Sequence, residues 1–255
     1  MAKIDKIEDW GFRITDVNMC IGSRDAYNKY VDIKELNRIM EHYRIQHSAC
    51  TNEYWIVNPL QANIDMKKSA DESEGKIGFT AYLDSSLGAD NLPGEGTLTE
   101  RLKKLSPEST RIYQIPDRST FSAFYWEEIL DAVNELKLPL IIDGNYTDTL
   151  FVNLPDIARQ YCDIKFVLVR NGLCHMRQVI PLLKKLDNVY FTVDTMLDNL
   201  QIEEIYDKCG VDKLLFGSSY PRLAPSGALG LVLYADIPDA AKQKILNDNW
   251  EGIRG

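Results

Sequence analysis

The chain lacks any basic stripe, and that sets the first limits on its function. It carries 29 Lys and Arg against 38 Asp and Glu, a formal charge of −9, and its pI is near 4.9. Polyanions need clustered cations, so nucleic acid and anionic membrane surfaces are poor partners. No run of about 18 apolar residues occurs, which argues against a transmembrane helix. The first residues, Met1-Ala2-Lys3-Ile4-Asp5, hold no apolar signal core. A cytoplasmic location is expected. The cysteines number five, Cys20, Cys50, Cys162, Cys174 and Cys209, with wide spacing and no CxxC. An odd, scattered set fits buried reduced thiols better than a disulfide framework or a zinc knuckle.

What is present is a repeated unit of short apolar run followed by helical pattern. The runs Phe12–Cys20, Tyr54–Val57, Lys76–Leu83, Thr110–Ile115, Leu138–Ile142, Phe166–Val169, Val189–Val193 and Lys213–Phe216 are rich in Ile, Val, Leu, Phe and Tyr. Such nearly continuous apolarity is the mark of parallel strands buried on both faces. Trp126, Ile129, Leu130 and Val133 recur at helical spacing, as do Met176, Val179, Ile180 and Leu183. The stretch 85–97 reads as a loop by its turn residues, and Pro238 to Trp250 as a closing helix. Alternation over 255 residues predicts an α/β fold, one (β/α)8 TIM-type barrel spanning 1–255, since open doubly wound sheets use fewer strands.

A barrel of this kind carries its chemistry where the strands end. The candidates are then Asn18 and Cys20, Asn58, Asp84, Asp117 and Arg118, Asp143, Arg170, Asp194, and Ser218 and Ser219. At these positions the sequence resembles the amidohydrolase-related family of metal-dependent hydrolases and decarboxylases. Leu214-Leu215-Phe216-Gly217-Ser218-Ser219-Tyr220-Pro221 is similar to the family's LFGSDYP, and Lys165-Phe166-Val167-Leu168-Val169-Arg170-Asn171-Gly172 to KFVLxHxG. Asn188 to Thr195 resembles NVYxDxS with one residue of slack, Leu138 to Asp143 resembles LPVxIH, and Ile14 to Cys20 stands where the family has IDxHxH.

The resemblance implies a metal held by two histidines on strand 1, histidines ending strands 5 and 6, and an aspartate ending strand 8. Here those positions hold Asn18 and Cys20, Asp143, Arg170 and Ser219. Zinc wants imidazole, thiolate or carboxylate donors, and a guanidinium is a permanent cation. At about 4 Å and an effective dielectric of about 20, two unit charges interact by about 4 kcal/mol, so a divalent ion would meet about 8 kcal/mol of repulsion. No metal or other cofactor is expected.

Three functions follow. In the first, the mouth binds a small polar or anionic molecule: Arg170 clamps the anion, Asp143 orients it, and Asn18, Asp194, Ser218 and Ser219 complete the shell. In the second, a metal-independent hydrolase or lactonase-type enzyme uses Asp143 as base, Arg170 as oxyanion partner, Cys20 as nucleophile activated by a nearby cation, and His175 as its helper. In the third, an unusual set such as Asp16, Cys20, Asp143 and His175 serves a metal-dependent hydrolase. A hydrolase is the expected class if the protein is an enzyme, a decarboxylase less so, and a pseudoenzyme or homo-oligomeric scaffold stays open. The plainer readings are that Cys20 is a small buried residue, that Asp16 caps the barrel rim, that Arg24 and Asp25 form a solvated loop pair, and that His42 and His47 lie away from the strand ends.

Overall fold

A computed structural model describes residues 10–22, 30–114, 120–144, 148–170, 176–196, 198 and 200–254. Eight parallel strands lie side by side in chain order: β1 Thr15–Ile21, β2 His47–Asn52, β3 Ile77–Tyr82, β4 Ser109–Gln114, β5 Pro139–Gly144, β6 Lys165–Val169, β7 Val189–Thr192 and β8 Leu214–Leu215. Sequential parallel neighbours are the signature of βα units wound in one sense. The ring closes where β8 meets β1, with Val17 N–H donating to Phe216 O at 3.0 Å and Cys20 N–H to Tyr220 O at 2.9 Å. The expected α/β barrel of amidohydrolase type is the observed fold.

Helices cover the outside. They include α1 Ile33–Tyr43, α2 Pro59–Asp71, α3 Leu98–Leu105, α4 Ala123–Leu136, α5 Asp148–Gln160 and α6 Met176–Lys185, then α7 Gln201–Cys209 and α8 Pro225–Leu233. Among the described residues, none is long and apolar enough to cross a membrane. Start and stop signals are local. Asp32 caps α1 by accepting from Glu35 N–H, and Thr97 and Glu100 form a reciprocal capping box on α3. Leu36, Leu102, Leu130, Leu154 and Val179 lie fully buried between helices and sheet. A second cluster fills the barrel itself: Val17, Ala49, Ile141, Val167, Val169, Tyr190, Leu215 and Trp250. Trp250 belongs to α10 Asn249–Glu251, the end of a closing helix that begins with α9 Asp239–Gln243 and passes through one π turn, Lys244–Asp248.

One strand lies elsewhere than the apolar runs predict. The second strand is His47–Asn52, and Tyr54–Val57 falls in a 3-10 turn at Glu53–Ile56 and just beyond it. The reason is burial. His-Ser-Ala-Cys-Thr-Asn is small and polar, yet it is buried from Ser48 onward, while Tyr54, Ile56 and Val57 face solvent. Asn52 starts the turn by accepting from Tyr54 N–H at 3.0 Å. Asn58 is therefore not a strand end: it is the exposed N-cap of α2, accepting from Gln61 N–H.

Candidate active site at the barrel mouth

The mouth is built on an irregular first strand. The register between β1 and β2 shifts between Asp16 and Met19. A bulge lets neighbouring residues break strict alternation, so Val17 fills the barrel interior while Asn18 lines the mouth. Asp16 pins this bend: its Oδ1 accepts from Asn18 N–H at 2.9 Å and from Ser218 N–H at 3.0 Å, tying β1 to the segment after β8. Burial raises the Asp16 carboxyl to about 6, against these opposing hydrogen bonds. The plain reading of Asp16 as a rim fastener matches this geometry.

A narrow cleft with about 10 Å³ of room for water-sized molecules, partly open to solvent, is lined by Asn18, Cys20, Glu53, Arg111, Arg170, Ser219 and Arg222. Its electrostatic centre is Asp143, which is 1% exposed. One Asp143 oxygen accepts from Arg170 through both Nε, at 2.7 Å, and Nη2. The other accepts from Arg111 Nη2 at 2.5 Å. Arg222 Nη1 stands 4.0 Å from the same oxygen, and its Nη2 donates to Glu53 at 2.6 Å. Burial disfavours the charges of Arg111 and Arg170, but the Asp143 carboxylate outweighs it and holds both firmly protonated. Arg170 also lies over the Tyr113 ring, 5.7 Å from its centre, a favourable place for a guanidinium.

Behind Ser219 lies a second polar knot. Asp194 accepts from Asn18 Nδ2 at 2.9 Å, Thr192 Oγ1 at 2.7 Å, the Arg170 backbone N–H at 3.3 Å and Ser219 Oγ. Asn18 Nδ2 also donates to Ser219 Oγ at 2.8 Å. Burial raises the Asp194 carboxyl, and the surrounding donors temper the rise.

Asn18, Cys20, Asp143, Arg170, Asp194 and Ser219 thus converge as the sequence places them. Ser218 does not join the lining; it is 1% exposed, and its Oγ accepts from Tyr220 N–H at 3.1 Å. Asp84 organises its own loop, accepting from Ser86 N–H and Oγ. His175, Arg24, Asp25, Asp117 and Arg118 lie outside the described residues. Two expected roles need correction. A nearby cation is expected to lower the Cys20 thiol, but burial pushes it up to about 12 and the nearby Arg111 does not compensate. A protonated thiol is a poor nucleophile and a poor metal donor. Asp143 is expected to act as a base, but its oxygens accept from the guanidinium groups of Arg111 and Arg170, an arrangement that anchors the two arginines.

The sequence reading missed Arg111, Glu53 and Arg222. Arg111 had a signal: a charge inside a buried strand needs a partner. Glu53 was lost with the misplaced second strand. Arg222 lies one residue past the Tyr220-Pro221 end of the quoted motif.

The family model for amidohydrolase matches residues 99–249, and the chain belongs to that family. Comparison with curated proteins finds no match. Among solved structures, 5-carboxyvanillate decarboxylase from Novosphingobium aromaticivorans, complexed with manganese and 4-hydroxy-3-methoxy-5-nitrobenzoic acid, is 12% identical with a TM-score of 0.74, over 95% of this chain and 96% of that one. The 5-carboxyvanillate decarboxylase of Sphingomonas paucimobilis is 12% identical with a TM-score of 0.70, over 95% and 98%. The 2,6-dihydroxybenzoate decarboxylase of Rhizobium is 11% identical with a TM-score of 0.67, over 95% and 98%. At these identities the likeness is one of fold.

Proposed function

We propose that the barrel mouth binds a small carboxylate or related oxyanion, and that it does so without a catalytic metal. The observation that carries this reading is the gathering of guanidinia around the cleft. Among the described residues, three guanidinia, Arg111, Arg170 and Arg222, line it, and the carboxylates paired with them are Asp143 and Glu53. Asp194 takes neutral donors from Asn18, Thr192, Ser219 and a backbone N–H. Arg222 is shared between Glu53 and, at 4.0 Å, Asp143, and guanidinium is the group best shaped for a carboxylate or phosphate.

A divalent ion fits these residues poorly. Among the described residues, no group of three or more His, Cys, Asp and Glu is placed to hold one. The donor chemistry gives the physical reason: Asn18 and Ser219 are weak neutral donors already bonded to Asp194, Cys20 keeps its proton, and the Asp143 oxygens are engaged by arginines. The set Asp16, Cys20, Asp143 and His175 fares no better, because Cys20 keeps its proton, the Asp143 oxygens are engaged by arginines, and one Asp16 oxygen is taken by the backbone of Asn18 and Ser218. The relatives named above act on or hold aromatic carboxylates by their names, which favours a carboxylate as the guest class here.

The test is a thermal-shift series with acetate, succinate, benzoate, citrate and phosphate on the wild type and on Arg170→Gln. A guest at a hundredfold excess over its Kd stabilises the folded state by about 2.7 kcal/mol, which for a chain of this size is about 5–10 °C in Tm. We expect such a shift in the wild type and its loss in Arg170→Gln. No shift with any anion, or equal shifts in both proteins, would refute anion binding. About one equivalent of metal per chain by elemental analysis, lost in Asp143→Ala, would refute the metal-free reading.

A further inference from the structure

We propose that Ser219 is a nucleophile, with Asp194 as its base, toward esters that carry a carboxylate. The carboxylate part of this inference rests on the anion-binding reading above; the nucleophile rests on separate geometry.

Ser219 Oγ donates to Asp194 and accepts from Asn18 Nδ2 at 2.8 Å. Its proton is therefore committed to the carboxylate, one lone pair is held, and the other is unassigned by these bonds. The residue is 5% exposed and lines the narrow cleft. Asn18 Nδ2 bridges Ser219 and Asp194, fixing the angle between them. A carboxylate buried away from water is a better proton acceptor than a solvated one, and base and nucleophile here are within hydrogen-bond reach.

The backbone supplies an independent pointer. Ser219 has φ of 59°, and so does Arg170, which lines the same cleft. The left-handed region disfavours side chains other than glycine's, and non-glycine residues held there cluster at functional sites. The bend at Ser219 is maintained by its own carbonyl, which accepts from Arg222 N–H at 2.9 Å. That bond sets the arginine three residues beyond the serine, where both contribute to one lining.

The chemistry balances within these groups. Oγ attacks the ester carbonyl carbon, the carbonyl π pair moves to oxygen, and the Oγ proton passes to Asp194. The oxyanion forms in a cleft that Arg111, Arg170 and Arg222 line together with Asn18, Cys20 and Glu53. Collapse breaks the bond to the alkoxide, which takes the proton from Asp194 and leaves into solvent. Water then attacks the acyl-serine, gives its proton to Asp194, and the serine oxygen recovers a proton as the acid departs.

The test uses mono(4-nitrophenyl) succinate and, for comparison, 4-nitrophenyl acetate. Release of nitrophenolate is followed together with intact and peptide mass on the wild type, Ser219→Ala, Ser218→Ala and Asp194→Asn. We expect an acyl group on Ser219 in the wild type and in Ser218→Ala, none in Ser219→Ala, and acylation at least tenfold faster with the succinate ester. Asp194→Asn should acylate at least a hundredfold more slowly. If Asp194→Asn does not fold, the Ser218 and Ser219 pair decides. Absence of any adduct in a wild type that still shows the anion-dependent thermal shift would overturn the nucleophile and leave anion binding intact. An adduct on Ser219 with no preference for the carboxylate ester would overturn the substrate class.

Discussion

Asp143 is the residue on which the mouth depends. It is 1% exposed and holds two arginines that are themselves nearly buried. Removing one partner of a buried ionic set costs roughly 3–5 kcal/mol because the remaining charges stay unpaired. Asp143→Asn should lose about that much, measured by urea unfolding. The triple substitution Arg111→Met, Asp143→Leu, Arg170→Met should recover most of it, since a buried ion cluster is often replaceable by apolar side chains of similar volume. A triple variant no more stable than Asp143→Asn would show that the pairing matters less than shape. Cysteine chemistry gives a second prediction at this scale. Cys20 is buried, with its thiol pushed up to about 12, whereas Cys162 is exposed. In the native protein, iodoacetamide near pH 8 should label Cys162 and spare Cys20, and peptide mass mapping reads the difference. Rapid labelling of Cys20 would restore it as a nucleophile.

At the level of elements, the second and third strands are held by a cluster at the opposite end of the barrel from the cleft. Gly78 on β3 pairs with Ala49 on β2, and a Cβ there would lie 1.5 Å from Glu108 Oε2 and 3.2 Å from His47 Nε2. Glu108 cannot swing away without loss, because it accepts from Trp250 Nε1 at 2.6 Å and meets His47 Nε2 at 2.8 Å. Gly78→Ala should therefore destabilise by roughly 1–3 kcal/mol, and the effect should shrink in a Glu108→Ala background; additive losses in denaturant midpoints would contradict this contact. The same strands mark the limit of what the sequence makes legible. Six of the apolar runs, from Lys76–Leu83 onward, coincide closely with strands because burial on both faces imprints itself as apolarity. β2 escapes because small polar side chains such as Ser48 and Thr51 are buried there beside its neighbours. Losing β2 hid Glu53, and so the Glu53–Arg222 pair. The knot of Asn18, Asp194 and Ser219 was readable as positions at strand ends. Its hydrogen bonds were not, because they join residues 176 and 201 apart in the chain.

Across the whole molecule, Arg254, just past the closing helix, is joined to the barrel floor by ionisable groups. His47 meets Glu108, and Arg254 reaches both, at 3.2 Å from His47 and 3.5 Å from Glu108. Burial disfavours the charged His47 ring, but the Glu108 hydrogen bond and charge prevail and raise it above 6.5. Burial likewise opposes the Glu108 charge, yet His47, Trp250 and Arg254 lower it below 4.5. A raised histidine contributes stability that is complete below its unfolded value and lost as pH rises through its folded one. A lowered glutamate contributes stability that is complete above its unfolded value and lost as pH falls. The pair is therefore fully effective between about pH 4.5 and 6.5. His47→Gln should cost roughly 1.5–3 kcal/mol in that window, with the difference narrowing above it. A loss independent of pH from 5 to 9, in paired denaturation curves, would mean that the ring acts by packing alone.

The sharing of Asp143 between Arg111 and Arg170 has a consequence for descent. Two positions that answer to a third cannot change independently, and their effects do not add. A lineage that altered Asp143 first would strand two cations; one that altered Arg170 or Arg111 first would keep a paired carboxylate and a viable fold. The order of historical steps at this mouth is thus constrained. Either arginine is free to leave while the other remains, but the aspartate is not free to leave before them, so related sequences should keep an acid at position 143 wherever either arginine persists.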